Sequence, residues 1–180
     1  MRHSILLTLI CASLVSIGCK DPAEEGTPAG GGDGAAAGAC PLSLTDGTTY
    51  NAVSCDISGS ESFAAGVYQI QISARFNTNQ PIRSVNFTLN DHDGASETHI
   101  KTFPVGTERP SVNASYAVTF QDKWNTLEQT NVVGSGAFVV TEYDRTSKRI
   151  SGTYDIVVKQ GAASKTITGA LTHVPMKQAD

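Results

Sequence analysis

Little in this chain is charged, aromatic or cysteine, and each scarcity removes a class of function. Charged residues make up 17% and aromatic residues 7%, with a single tryptophan. The formal net charge is −4 and no basic run breaks the acidic balance. That argues against nucleic acid as a partner, and against anionic lipid headgroups held by the folded body. The four cysteines form no C-x-x-C, and H-E-x-x-H is missing, so neither a thiol redox motif nor a histidine zinc site is written here. There is no phosphate-binding loop and no dinucleotide fingerprint. Gly134-Ser135-Gly136 is not a G-x-S-x-G elbow and reads as a flexible turn before a strand. Carboxylates are scattered, and nothing nominates a glycosidase pair. The chain therefore reads as something other than an enzyme, with no catalytic residue and no cofactor.

The only long apolar stretch is at the start. Arg2 and His3 precede a mostly apolar run over residues 5–17, the length of a signal-peptide core. It is shorter than the ~18–20 apolar residues a spanning helix needs. Ser16-Ile17-Gly18 leads into Cys19, and this stretch resembles the lipobox of bacterial lipoproteins. The resemblance implies cleavage after Gly18 and lipid on both the sulfur and the amine of Cys19. Two or three acyl chains hold a protein firmly where one holds it only marginally. The expected membrane contact is thus through these chains. Residues 1–18 are read as signal peptide and residues 19–39 as lipidated cysteine plus linker. The linker is Gly, Ala, Pro and acid, with no aliphatic larger than Ala. Such a segment buries too little to offset its ordering entropy and is expected to be disordered. Lys20, not Asp, follows the cysteine. By resemblance to sorted lipoproteins this implies the outer membrane, at its periplasmic face or on the cell surface. With Cys11 cleaved off and Cys19 acylated, Cys40 and Cys55 remain. An even pair in an exported chain is expected to form a disulfide.

From residue 40 to residue 180 the texture is that of one all-β domain. Residues 67–76 alternate strictly, with Tyr68, Ile70, Ile72, Ala74 and Phe76 on one side. Residues 82–89 repeat the pattern with Val85, Phe87 and Leu89 inward, and residues 114–121 do so with Tyr116, Val118 and Phe120. Residues 48–55 read as a first strand and the more polar residues 98–105 as an edge strand. Residues 136–143, 148–159 and 165–174 form a meander, with Ile150, Tyr154, Ile156 and Val158 on one side of its middle strand. Residues 123–129 suit a turn of helix. About eight short strands at near-regular spacing imply an antiparallel β-sandwich, with a small antiparallel β-barrel as the rival.

Residues 140–154, running Val-Thr-Glu-Tyr-Asp-Arg-Thr-Ser-Lys-Arg-Ile-Ser-Gly-Thr-Tyr, resemble a signature of small exported Gram-negative lipoproteins with a C-terminal all-β domain of unknown function. The Thr-rich strand at residues 166–171 and Val174-Pro175 extend the resemblance over about the last 40 residues. It implies fold and location and brings no catalytic residues. Physically the motif specifies a hairpin. Asp144 is placed to cap the turn, and Gly152 permits a bulge or the approach of an aromatic such as Tyr154 or Tyr143.

Two places carry candidate chemistry. Asn90-Asp91-His92-Asp93-Gly94 offers oxygen ligands at Asp91 and Asp93 for calcium, but lacks the later acids of a calcium loop; a hairpin turn after Leu89 is the expectation. Trp124 is a candidate sugar-stacking platform, against which stands a plug at the core edge. His92, His99 and His173 are expected to face solvent. The expected function is a lipid-anchored, non-catalytic binding or structural module whose partner is an envelope protein or glycan. The alternatives are a small hydrolase of envelope glycan or peptide, and a β-barrel carrier of an apolar ligand.

Overall fold

A computed structural model describes residues 40–61, 66–77, 82–92, 98–119 and 121–179. The expectations for Gly18, Cys19, the linker, Phe120 and Asp93 fall outside those residues. All regular structure among the described residues is β. In chain order the strands are β1 (Leu42–Thr45), β2 (Thr49–Asn51), β3 (Ser54–Glu61), β4 (Val67–Arg75), β5 (Ser84–His92), β6 (Thr102–Pro104) and β7 (Ser111–Ala117). They continue with β8 (Lys123–Asn125), β9 (Leu127–Glu128), β10 (Asn131–Val132), β11 (Ser135–Asp144), β12 (Arg149–Gln160), β13 (Ala163–Pro175) and β14 (Gln178–Ala179).

Twelve of these form one curled sheet, ordered β14-β3-β4-β5-β7-β8-β12-β13-β1-β2, with β11 pairing β12 and β6. β9 and β10 make a separate two-stranded ribbon. Strand pairing is antiparallel except where β14 joins β3 in parallel, and Val105 makes one parallel bridge to Val112 of β7. The curl, a half-barrel, brings the two parts of the sheet face to face. Phe87 of β5 meets Phe138 of β11 at 5.2 Å and Tyr154 of β12 at 4.6 Å between ring centroids. Those rings occupy the space between the parts, where a sandwich would have its core. Two ties fasten the ends: the Cys40–Cys55 disulfide joins the entry of β1 to β3, and the Lys177 N–H donates to the Ile57 carbonyl at 2.7 Å.

The alternation read from the sequence sets the core. Tyr68, Ile70, Ile72, Ala74, Phe76, Val85, Phe87, Leu89, Tyr116, Ile150, Tyr154, Ile156 and Val158 are all buried. Burial of each large apolar side chain contributes about 1.5–3 kcal/mol before conformational entropy is counted. The hairpin between β11 and β12 forms as its residues dictate. Asp144 Oδ1 accepts from the Thr146 N–H at 2.8 Å and the Ser147 N–H at 3.1 Å, while the Ser147 hydroxyl donates to Oδ2 at 2.7 Å. These donors hold the exposed carboxyl below its ordinary range. The bulge near Gly152 is present, between Val140 and Glu142 on one partner strand and Ile150 and Gly152 on the other pairing. The ring that approaches Gly152 is Phe138, not Tyr154 or Tyr143.

Several boundaries move. Residues 48–55 are not one strand: β2 ends at Asn51 and β3 starts at Ser54, with β1 preceding both. The edge strand of residues 98–105 shrinks to β6. Residues 123–129 are not helical; Lys123–Asn125 pair with β7, Trp124 opposite Tyr116, and Leu127–Glu128 pair with β10. β5 does not stop at Leu89 for a turn but runs to His92.

Candidate functional site

The extension of β5 places Asp91 inward, fully buried at the end of the strand. A buried carboxylate must be paired, and its partners come from the next residue and from the connection after β5. His99 Nδ1 lies 2.9 Å from Asp91 Oδ2. Lys101 Nζ lies 3.2 Å from Oδ1 and 3.1 Å from Oδ2. The His92 backbone N–H donates to Oδ1 at 2.8 Å. On the far side of the imidazole, Arg145 of the β11–β12 turn reaches His99 Nε2 at 2.9 Å. A guanidinium only donates, so Nε2 accepts, and the ring proton sits on Nδ1 and is given to Asp91.

Aromatic rings enclose this line. Tyr68 stacks on His99 at 4.2 Å, Tyr143 meets its edge at 5.0 Å, and the two tyrosine hydroxyls lie 2.7 Å apart. Gly59 of β3 makes room for them: a Cβ there would strike the Tyr143 hydroxyl and stand 2.8 Å from that of Tyr68. His99 adopts φ 56°, a left-handed backbone that costs a side-chain-bearing residue about 1–3 kcal/mol. The bonds and ring contacts around it hold it there.

Burial pushes the His99 imidazole below its ordinary range; the Asp91 bond opposes this without overcoming it, and Arg145 and Lys101 reinforce it. Burial alone would raise Asp91, but the bonds from His99, the His92 N–H and Lys101 outweigh it and hold the carboxyl below its usual range. The expectation that His99 faces solvent is overturned: no part of its side chain is exposed. With both ring nitrogens engaged, it cannot take a proton from a substrate as a general base must. This cluster is a lock between β4, β5, the β5–β6 connection and the β11–β12 turn.

Asp91, weighed above as a calcium ligand, is committed to this cluster, and its candidate companion Asp93 lies outside the described residues. Among the described residues no three His, Cys, Asp or Glu side chains converge as a metal site. His92 and His173 are exposed. Trp124 packs half-buried against the core, as a plug at its edge. Its Nε1 donates to Asp122 Oδ1 at 2.9 Å, and Lys165 Nζ lies 5.1 Å over its ring. That ammonium covers the face a sugar would stack on.

A second charged cluster lies beside Trp124, at the other end of β5. The Tyr116 hydroxyl donates to Asp46, whose carboxylate also meets Arg83 at 3.4 Å and Lys165 at 3.7 Å. Burial, then the Asp46 bond, raises the Tyr116 hydroxyl far above its ordinary value. Arg83 in turn lies 4.4 Å over the Tyr50 ring.

Between these ends lies the outer face of β3, β4, β5 and β7, and it is unusual in chemistry. The register sets its residues in rows across the strands. One runs Asp56, Ser73, Asn86, Ser115 and on to Asn125 of β8; another runs Ser58, Gln71, Thr88 and Asn113. Gln69 donates to Asn90 at 2.9 Å, and Asn86 to Ser115 at 3.4 Å. A groove of about 510 Å³ opens where Ser54, Asp56, Ser73, Arg75, Ser84 and Asn86 meet Lys177, within the size range of ligand sites. Sequence reading marked these side chains only as the solvent half of an alternating pattern. Their assembly into rows depends on strand register, which local sequence does not encode.

Comparison of the chain with protein-family models, with curated proteins and with solved structures finds no match.

Proposed function

We propose that the chain is a lipid-anchored envelope lipoprotein of the outer membrane, held by acyl chains on Cys19, and that its β body is a non-catalytic binding module for envelope glycan. The observation that carries the binding assignment is the outer face of β3, β4, β5 and β7, where amides and hydroxyls stand in rows and Asp56 and Arg75 are the charged members among the residues named from it. An antiparallel sheet needs only a wettable outer face, and charge would serve that. Asn, Gln, Ser and Thr instead offer donors and acceptors together, which suits a partner that is itself hydroxylated and weakly charged. Phe87, Phe138 and Tyr154 between the parts of the sheet favour this reading over a carrier of an apolar ligand.

The test is co-sedimentation of the detergent-solubilised full chain with isolated peptidoglycan sacculi. Asn86→Arg and Thr88→Lys replace half-buried or exposed outward positions and leave the core side chains in place. The reading expects each to cut the sedimented fraction severalfold. Equal sedimentation of variants and parent removes this face as the binding surface.

A further inference from the structure

The groove at the β3–β4–β5 end of that face holds a cation that no described residue neutralises. The side chain of Arg75 is exposed and makes no hydrogen bond or ion pair among the described residues. Register puts it between Ser54 and Ser84, and the next row on the same face brings Asp56, Ser73 and Asn86. Lys177 closes one side, its ammonium 2.7 Å from Asp56 Oδ2. Asp56 is thereby paired across the groove wall, and the charge left over is that of Arg75. Its other neighbours are short hydroxyls and one amide, and among the described residues Ala74 and Cys55 are the apolar members of the lining.

We propose that this groove is a subsite for a carboxylate-bearing saccharide, with Arg75 taking the carboxylate and Ser73, Ser84 and Asn86 taking ring hydroxyls; this rests on the glycan-binding reading above and specifies its ligand. The guanidinium fork matches a carboxylate through two parallel N–H···O bonds. Adjacent strands stand about 4.8 Å apart, a spacing that lets Ser84 and Arg75, or Asn86 and Ser73, reach neighbouring substituents of one sugar ring. An acidic peptide offers the same carboxylate but would leave the surrounding hydroxyls and amide without partners, and among the described residues its larger side chains would meet only Ala74 and Cys55 as apolar lining. The saccharide satisfies both halves of the lining.

The experiment is calorimetric titration of the detergent-solubilised full chain with a galacturonate tetrasaccharide, a neutral glucose tetrasaccharide and hexaglutamate. The expected result is binding of the galacturonate at least tenfold tighter than either comparison ligand. Arg75→Gln is expected to abolish that preference while leaving the thermal midpoint unchanged, since the exposed Arg75 side chain makes no hydrogen bond or ion pair among the described residues and the backbone pairing is kept. Arg75→Lys, which keeps the charge and loses the fork, should retain only part of it. Equal affinity for galacturonate and glucose, with sensitivity to Asn86→Arg, overturns the acidic subsite and leaves the glycan-binding face standing. Hexaglutamate bound as tightly as galacturonate overturns the saccharide assignment. No binding of either saccharide overturns the subsite, and unchanged sacculus sedimentation in the Asn86→Arg variant then overturns the glycan-binding face as well.

Discussion

Removing the Asp91 carboxylate tests whether the buried cluster is a lock. Asp91→Ala would leave the His99 N–H without its acceptor and deprive the ammonium of Lys101 of its Asp91 contact, in a place where the aspartate is 1% exposed and the histidine 0%. Breaking one partner out of a buried pair costs about 3–5 kcal/mol. For a domain of this size each kcal/mol lowers the thermal midpoint by roughly 3–4 °C, so the expected fall is about 10–20 °C. Asp91→Asn keeps an acceptor for the imidazole N–H and should cost less. Urea unfolding of both variants, followed by circular dichroism, gives the numbers directly.

The same cluster fixes the sign of the pH dependence. The folded-state pKa of His99 lies below the ordinary value of 6.5, so the unfolded chain takes up its proton first as the solution is acidified. Stability is therefore full above pH 6.5 and falls as pH drops from 6.5 toward the folded-state value. Asp91, held below its ordinary value of 3.8, adds a second loss as pH falls through its own folded-state value. His99→Gln should flatten the first slope and leave the second. A cost below about 1 kcal/mol for Asp91→Ala, well short of a broken buried pair, or an unchanged slope on acidification below pH 6.5 in His99→Gln, would refute the reasoning.

Three further outcomes follow from the packing and the proposed anchor. Gly59→Ala should destabilise by about 1–3 kcal/mol, because the new methyl collides with the hydroxyls of Tyr143 and Tyr68; an unchanged urea midpoint contradicts that crowding. Cys55→Ser opens a bridge spanning a sequence separation of 15 and should cost about 3 kcal/mol by the loop-entropy relation, the same loss seen when the parent is unfolded in reductant. Cys19→Ser should shift the protein from the membrane pellet to the soluble fraction of lysed cells; continued sedimentation with the envelope removes the lipid anchor.

The core was legible because parity survives over a continuous pleat. In residues 67–76 and again in 85–89 every second side chain is apolar, and every one of those from Tyr68 to Leu89 is buried. Parity fails where the backbone leaves the pleat. Thr98-His99-Ile100-Lys101 looks like half of an edge strand, which would turn His99 outward. At φ 56° the chain reverses there instead, sending the imidazole inward and leaving Ile100 47% exposed. Residues 123–129 misled for a related reason. Lys-Trp-Asn-Thr-Leu-Glu-Gln has no period-two pattern, and its strand state comes from pairing of β8 with β7 and β12 and of β9 with β10, not from propensity.

What links the illegible parts is distance along the chain. Asp91 and Arg145 meet at His99 from sequence separations of 8 and 46, and Asp46 meets Tyr116 across 70. Each cluster joins strand ends that the hydrophobic pattern leaves unspecified, since burial of alternating side chains fixes which face is inside but does little to fix how the ends of a curled sheet are closed. A buried carboxylate does fix it, because it is costly unless its particular partners arrive. The two charged clusters at the ends of β5 thereby favour one closure of the sheet, while the rows of neutral side chains on the outer face follow from the direct pairing of β3, β4, β5 and β7.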